Sequence, residues 1–147
     1  MDSEQKKVLD RLEAQCSKRE YCVSDVRTKA FKALEGDSKR AAEVVDSLVK
    51  DKFVDDARYA GAFAREKSAL TGWGVVKIRY ALRAKGIAPE IIAEALEDID
   101  AGKAADKLGK LMAAKRKSLE GDPQYKLKLI KYALTRGYEY DEIQEYL

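Results

Sequence analysis

The 147-residue chain contains no histidine, so the side chain that most often moves protons near neutral pH is missing. Among the groups that remain, the adjacent carboxylates Asp55 and Asp56 come first. Such a pair can hold a hard divalent cation. It also stands where an apolar helical pattern begins, and a carboxylate there caps the first turn and complements the helix dipole. The cap is the reading the pattern favours. Gly72-Trp73-Gly74 is too short for a dinucleotide fingerprint and reads as a turn between helices. Cys16 and Cys22 are the only cysteines, and their spacing matches neither a zinc knuckle nor a redox motif. They read as small apolar side chains in a reducing cytoplasm. Asp98 and Asp100 close a helical pattern and read as solvated linker. With no P-loop and no nucleophile motif, the expectation is a protein that is not an enzyme and holds no cofactor or metal.

The remaining candidates for chemistry are cations beside aromatic rings. From Lys67 to Pro89 there are five basic residues and no acid. With Ile78 at the origin and 100° per residue, Leu82, Val75 and Ala81 fall on one side. Arg79, Tyr80 and Arg83 fall opposite. In the last third, with Ile130 at the origin, Leu127 and Leu134 take the core side, and Lys128, Lys131 and Tyr132 face away. Tyr80-Ala81-Leu82 and Tyr132-Ala133-Leu134 recur, each followed by a basic residue and a glycine (Lys85-Gly86, Arg136-Gly137). The expected partner-binding face is therefore Arg79, Tyr80, Arg83 and Lys85, repeated as Lys128, Lys131, Tyr132 and Arg136. Cations with aromatics suit an acidic protein surface or a single strand of nucleic acid. The plainer alternative is that each tyrosine packs on a neighbouring unit.

A second basic set is Lys77 with Lys103, Lys107, Lys110, Lys115, Arg116 and Lys117. It is the candidate for attraction to phosphate, or else a solvated face. The net charge is +3, but unevenly placed. Residues 1–100 carry 19 basic and 19 acidic side chains, residues 101–137 carry 10 and 3, and residues 138–147 carry four acids and no base.

These residues need helices to place them. Apolar positions at helical spacing predict helices over about 4–16, 24–35 and 38–50, with Ser24 and Ser38 as N-caps and with Phe31, Leu34 and Val49 on apolar faces. The same plan follows at 55–71, 74–85 and 89–99, then at 101–119, 123–136 and 140–147. Pro89 and Pro123 sit at first-turn positions, where a missing N–H costs little. The fold class expected is all-α: three tandem three-helix repeats, 1–52, 53–100 and 101–147, forming an elongated, curved array. No apolar run approaches the length of a membrane span, and no export signal is visible.

Phe53-Val54-Asp55-Asp56-Ala57-Arg58-Tyr59-Ala60 resembles the F-[IVL]-D-D-x-R-[FY]-A signature of the RecX family. Ile78 to Ile87 resembles its I-x-x-x-L-x-x-K-G-I segment, and Tyr132 to Tyr138 its terminal F-L-x-x-R-G-[FY]. The match covers the middle and end of the chain and is weaker before Phe53. It implies a small all-helical regulator that binds RecA recombinase filaments. It also implies structural roles for Phe53, Asp55, Asp56, Arg58, Tyr59, Phe63, Ile78, Leu82, Gly86 and Gly137. Tyr59 and Phe63 read as core, and Gly86 and Gly137 as left-handed residues past helix ends.

The function expected is a cytoplasmic monomer that lies on the RecA filament and restrains recombinase, ATPase and coprotease activities, so modulating DNA repair. Weak, non-specific contact with single- and double-stranded DNA accompanies it. The alternatives are an autonomous, weakly sequence-specific nucleic-acid-binding module and a helical scaffold with no DNA affinity.

Overall fold

The computed structural model describes residues 1–147, and every regular element is helical. α1 (Ser3–Cys16), α2 (Val23–Ala33) and α3 (Ser38–Lys50) form the first group. α4 (Asp56–Glu66), α5 (Val75–Ala84) and α6 (Pro89–Glu97) form the second. α7 (Ala101–Ser118), α8 (Tyr125–Thr135) and the short α9 (Tyr140–Ile143) form the third.

Each group encloses its own apolar core. The first holds Val8, Leu12, Val26, Ala30, Val44 and Leu48. The second holds Tyr59, Ala60, Ile78, Leu82, Ile87 and Ile92. The third holds Leu108, Met112, Leu129, Ala133, Tyr138 and Ile143. Cores this small leave much surface uncovered. The chain exposes 9197 Å², whereas a compact monomer of 16.5 kDa exposes roughly 7,500 Å². The array is extended, as the repeat pattern predicts.

Several helix starts differ from expectation. The α2 N-cap is Cys22, not Ser24, and Asp25 reaches back from N3 to the Cys22 N–H at 3.3 Å. The α3 cap is Asp37, whose carboxylate accepts from the Arg40 N–H at 3.1 Å. Asp37 is as strong an N-cap residue as serine, and with it in the cap Ser38 becomes the first residue of the helix. The α8 cap is Gln124; Pro123 lies outside the helix, in a turn where Asp122 accepts from the Gln124 N–H. Phe31 and Val49 are exposed, not core.

The long helix expected over 55–71 is α-helical only to Glu66. Lys67–Thr71 widens into a π turn, and Gly72 ends it in the left-handed region at φ 75°. Trp73 N–H closes the turn on the Lys67 carbonyl at 2.8 Å. α7 packs across this turn and ties the third group to the second.

Candidate interaction surface

The family-like signature builds a joint before it builds a surface. Asp55 caps α4, accepting from the Arg58 N–H at 3.0 Å. Asp56 turns the other way and accepts from the Val23 N–H at 2.8 Å, satisfying one of the orphan donors of α2. Arg58 pairs with Glu20 at 2.6 Å and also donates to the carbonyls of Lys52 and Phe53. The two adjacent acids thus divide between a cap and an inter-group contact. Tyr59 is buried and stacks on the half-buried Phe63, with ring centres 5.9 Å apart.

At the far end of α5, Lys85 pairs with Asp25 at 2.7 Å, and its carbonyl accepts from Ser24 Oγ at 2.7 Å. Burial alone would raise the Asp25 carboxyl. The Lys85 ammonium and the bonds from Cys22 outweigh it and hold the group below its ordinary 3.8. The ammonium of Lys85 is held above its ordinary 10.5 by the same bond.

The second joint repeats the first. α5 has no side-chain cap. Its Gly74 N–H donates instead to the Arg136 carbonyl at 2.8 Å, and Val76 N–H to the Gly137 carbonyl at 3.1 Å. These carbonyls are the orphan acceptors at the end of α8, so two helix ends satisfy each other and their dipoles align. The second helices of the groups therefore meet end to end, α8 onto α5 and α5 onto α2. Gly137 (φ 95°) permits the contact, because a Cβ there would lie 2.3 Å from Lys77 Cβ. The Arg136 guanidinium donates to the carbonyls of Thr71 and Gly72, left free by the π turn.

Lys85 and Arg136, expected on the binding face, are thus engaged inside the molecule. Lys128 is held by Asp122 at 2.5 Å. The expected phase of α8 needs correction. Leu127 is 68% and Leu134 48% exposed, while Leu129 and Ala133 are fully buried. Counting back from the glycines, Leu129 and Ala133 match Ile78 and Leu82, and Tyr132 matches Ala81. The recurring Tyr-Ala-Leu string is out of register by one residue, which is 100° around a helix. Tyr132 is accordingly half-buried, with Lys115 and Arg136 over its ring.

The α5 face is placed as expected. Ile78 and Leu82 are fully buried and Tyr80 is 76% exposed. Arg79 and Arg83 lie together on its α6-facing flank, in no ion pair, and line a cleft of about 400 Å³ between α5 and α6 with Ile92, Leu96 and Glu97. Lys131 is exposed on α8. On α7, Lys103, Lys107, Lys110 and Lys117 share one side at helical spacing, and none belongs to an ion pair. Arg116 is separated from them; it donates to the Tyr146 carbonyl at 3.1 Å. Lys77 lies against Trp73, 4.6 Å from its ring centre. No helix is long and apolar enough to cross a membrane.

Residues 55–96 match the family description "RecX, second three-helix domain". The chain is 34% identical to "Regulatory protein RecX" of Clostridium botulinum (strain Alaska E43 / Type E3), over 99% of this chain and 74% of that protein. It is 30% identical to "Regulatory protein RecX" of Prosthecochloris aestuarii, over 99% of this chain and 95% of that one. Against "Regulatory protein RecX" of Clostridium tetani the match spans about half of the relative, 52%. "Crystal structure of RecX from Lactobacillus salivarius" superposes with a TM-score of 0.80 at 22% identity, covering 99% of this chain and 96% of the other. At that identity the likeness speaks for the fold.

Proposed function

The chain belongs to the RecX family, regulatory by name, and from that premise we propose that it binds a RecA recombinase filament on DNA and restrains its recombinase, ATPase and coprotease activities. It does so as a monomer in the cytoplasm, with residues 1–52, 53–100 and 101–147 as successive units along the filament. The observation that carries this reading is the outer side of α5. Tyr80 is largely exposed beside two arginines on one flank, while Ile78 and Leu82 anchor the opposite side in the core. Aromatic and arginine side chains together are the composition of interface hot spots. Nothing inside the molecule uses them.

The mechanism would be steric and electrostatic. End-to-end joints hold the units at a fixed spacing, so one chain can touch several filament subunits. Occupation of the groove excludes duplex DNA and cleavage substrates. The test is ATP hydrolysis and strand exchange by the cognate recombinase, titrated with this protein. Restraint at substoichiometric ratios supports the reading, and unchanged rates at excess refute it.

A second reading, a weakly sequence-specific nucleic-acid-binding module, is favoured by one observation. Lys103, Lys107, Lys110 and Lys117 form an unpaired basic side along α7. Binding through it would be non-specific and would weaken steeply with salt.

A further inference from the structure

An aromatic residue stands at the entrance to the second helix of every group: Tyr21 before α2, Trp73 before α5 and Tyr125 opening α8, at intervals of 52 residues. All three are half-buried. Each has cations on its ring. Arg19 and Lys29 lie 4.6 and 5.1 Å from the centre of Tyr21. Lys67 and Lys77 lie 4.8 and 4.6 Å from that of Trp73. Arg116 lies 5.4 Å from that of Tyr125.

Packing explains an aromatic at such a place but not the cations. None of Arg19, Lys29, Lys67 and Lys77 belongs to an ion pair. Two ammonium groups on one indole repel each other, and an anion between them relieves the repulsion. The first two places are also connected. A cleft of about 400 Å³ has Arg19 and Lys67 among its walls and Tyr59 and Phe63 at its floor. Phe63 in turn meets Trp73 edge-on at 6.0 Å. Of the two acids on that cleft, Glu20 is neutralised by Arg58, and Glu66 stands alone.

We infer that this cation-flanked aromatic track, centred on Trp73, is a binding site for single-stranded nucleic acid. Lys67 and Lys77 take successive phosphates, and a base stacks on the indole when they do. A half-buried ring such as that of Trp73 can reach unstacked bases but not those of a duplex, and stacking on any base needs no sequence. The inference rests on the nucleic-acid reading above and gives it a location distinct from α7.

Trp73 is the only tryptophan, so its fluorescence reports on this site alone. The full chain is titrated with oligothymidylate about 20 nucleotides long, followed both by this emission and by anisotropy of a labelled strand. The expected result is saturable quenching that weakens with salt. Lys67→Gln with Lys77→Gln should lower affinity about tenfold and flatten the salt slope by about 1.4, at about 0.7 per lost phosphate contact. Circular dichroism should be unchanged. Lys103→Gln with Lys110→Gln should keep the full quenching amplitude at saturation. Anisotropy that rises without quenching, or a Lys67/Lys77 variant that binds as well as the parent, overturns the site and leaves binding to α7. Equal quenching by polyglutamate overturns it in favour of an acidic protein surface. No binding of the strand at all overturns both the site and the nucleic-acid reading, while recombinase restraint is measured separately and can survive it.

Discussion

Arg136 donates from Nε to the carbonyl oxygen of Gly72 at 3.0 Å, across 64 residues of chain. Its Nη2 reaches the neighbouring Thr71 carbonyl. One planar guanidinium thus closes the end of the π turn and fixes α8 to the second group. Removing it leaves two partly buried acceptors without their donor. Arg136→Ala should cost about 1–3 kcal/mol, read as a lowered denaturant midpoint. Arg136→Lys should recover little of it, because a point charge cannot serve two carbonyls in the same fork. Full recovery by lysine would show that charge alone, not the paired bonds, holds the joint.

Gly86 and Gly137 occupy matching positions, and both are left-handed, at φ 74° and 95°. Their surroundings differ. A Cβ on Gly86 meets nothing within 4 Å, while one on Gly137 meets Lys77 Cβ at 2.3 Å and Lys77 N at 2.6 Å. Gly86→Ala should cost about 1 kcal/mol, from backbone strain alone. Gly137→Ala should cost several times more and detach the ends of α8 and α5. Hydrogen exchange at Gly74 and Val76 would register that detachment. Equal costs for the two would mean that the joint is not tight.

The same joint marks where legibility in the sequence ends. Ile78 and Leu82 at i, i+4 and the glycine after Lys85 suffice to place α5, its buried side and its end. The three-group plan follows from repeating that pattern. The tie between Lys85 and Asp25 does not, because 60 residues separate them and neither has an unusual neighbour. The π turn left no sign either: Lys67 to Thr71 continues the helical pattern, and only the packing of α7 against Gly72 distinguishes it. On α8 the sequence offered two rival apolar stripes. The stripe of Leu127, Ile130 and Leu134 is bulkier as a whole than that of Leu129 and Ala133, yet the close approach of helices in the third core admits the alanine. Size misled where space decided.

The pair of Asp25 and Lys85 carries a pH dependence whose sign is set by the two shifts. A depressed carboxyl adds stability that is present above its unfolded value and lost as pH falls through its folded one. A raised ammonium adds stability present below its unfolded value and lost as pH rises through its folded one. The pair therefore supports the first joint between the ordinary carboxyl value of 3.8 and the ordinary ammonium value of 10.5. Asp25→Asn should be less stable than the parent at neutral pH, and the gap should close as pH falls below that carboxyl value. Because Lys85 is 44% exposed, the gap is modest and should shrink further in high salt. A gap independent of pH would assign the loss to packing.

Tyr138 is 4% exposed, and its hydroxyl has no hydrogen-bond partner. Burial pushes its ionisation up to about 12 from an ordinary 10.0. An acid raised in this way is neutral in both states below its unfolded value. Above that value the unfolded chain ionises first, and stability falls as pH rises toward the folded value. Tyr138→Phe removes an unpartnered buried hydroxyl, so it should leave neutral-pH stability unchanged or raise it by about 1–3 kcal/mol. It should also lessen the loss of stability between pH 10 and 12. A destabilised phenylalanine variant would reveal a partner for the hydroxyl.

The outer side of α5 gives the sharpest test of the proposed function. Arg79, Tyr80 and Arg83 face away from Ile78 and Leu82, and no carboxylate pairs with either arginine. Arg79→Glu with Arg83→Glu should therefore stay folded, since surface charges contribute about 0–1 kcal/mol to stability. It should nevertheless lose restraint of the recombinase, because two attractive contacts become repulsive ones. Leu82→Ala should behave in the opposite order. It empties a fully buried position at a cost of about 2–5 kcal/mol, and any loss of restraint should follow the unfolded fraction. Of the cations expected on the α8 face, only Lys131 is free to act alike, because Lys128 is held by Asp122 and Arg136 by the carbonyls of Thr71 and Gly72. Lys131→Glu alone should weaken restraint without changing the melting temperature, if the third unit contributes. Recombinase ATPase, titrated with each variant beside its melting curve, separates the two classes. A folded Arg79/Arg83 variant that restrains ATP hydrolysis as well as the parent would move the contact off α5, to the first unit or the basic side of α7.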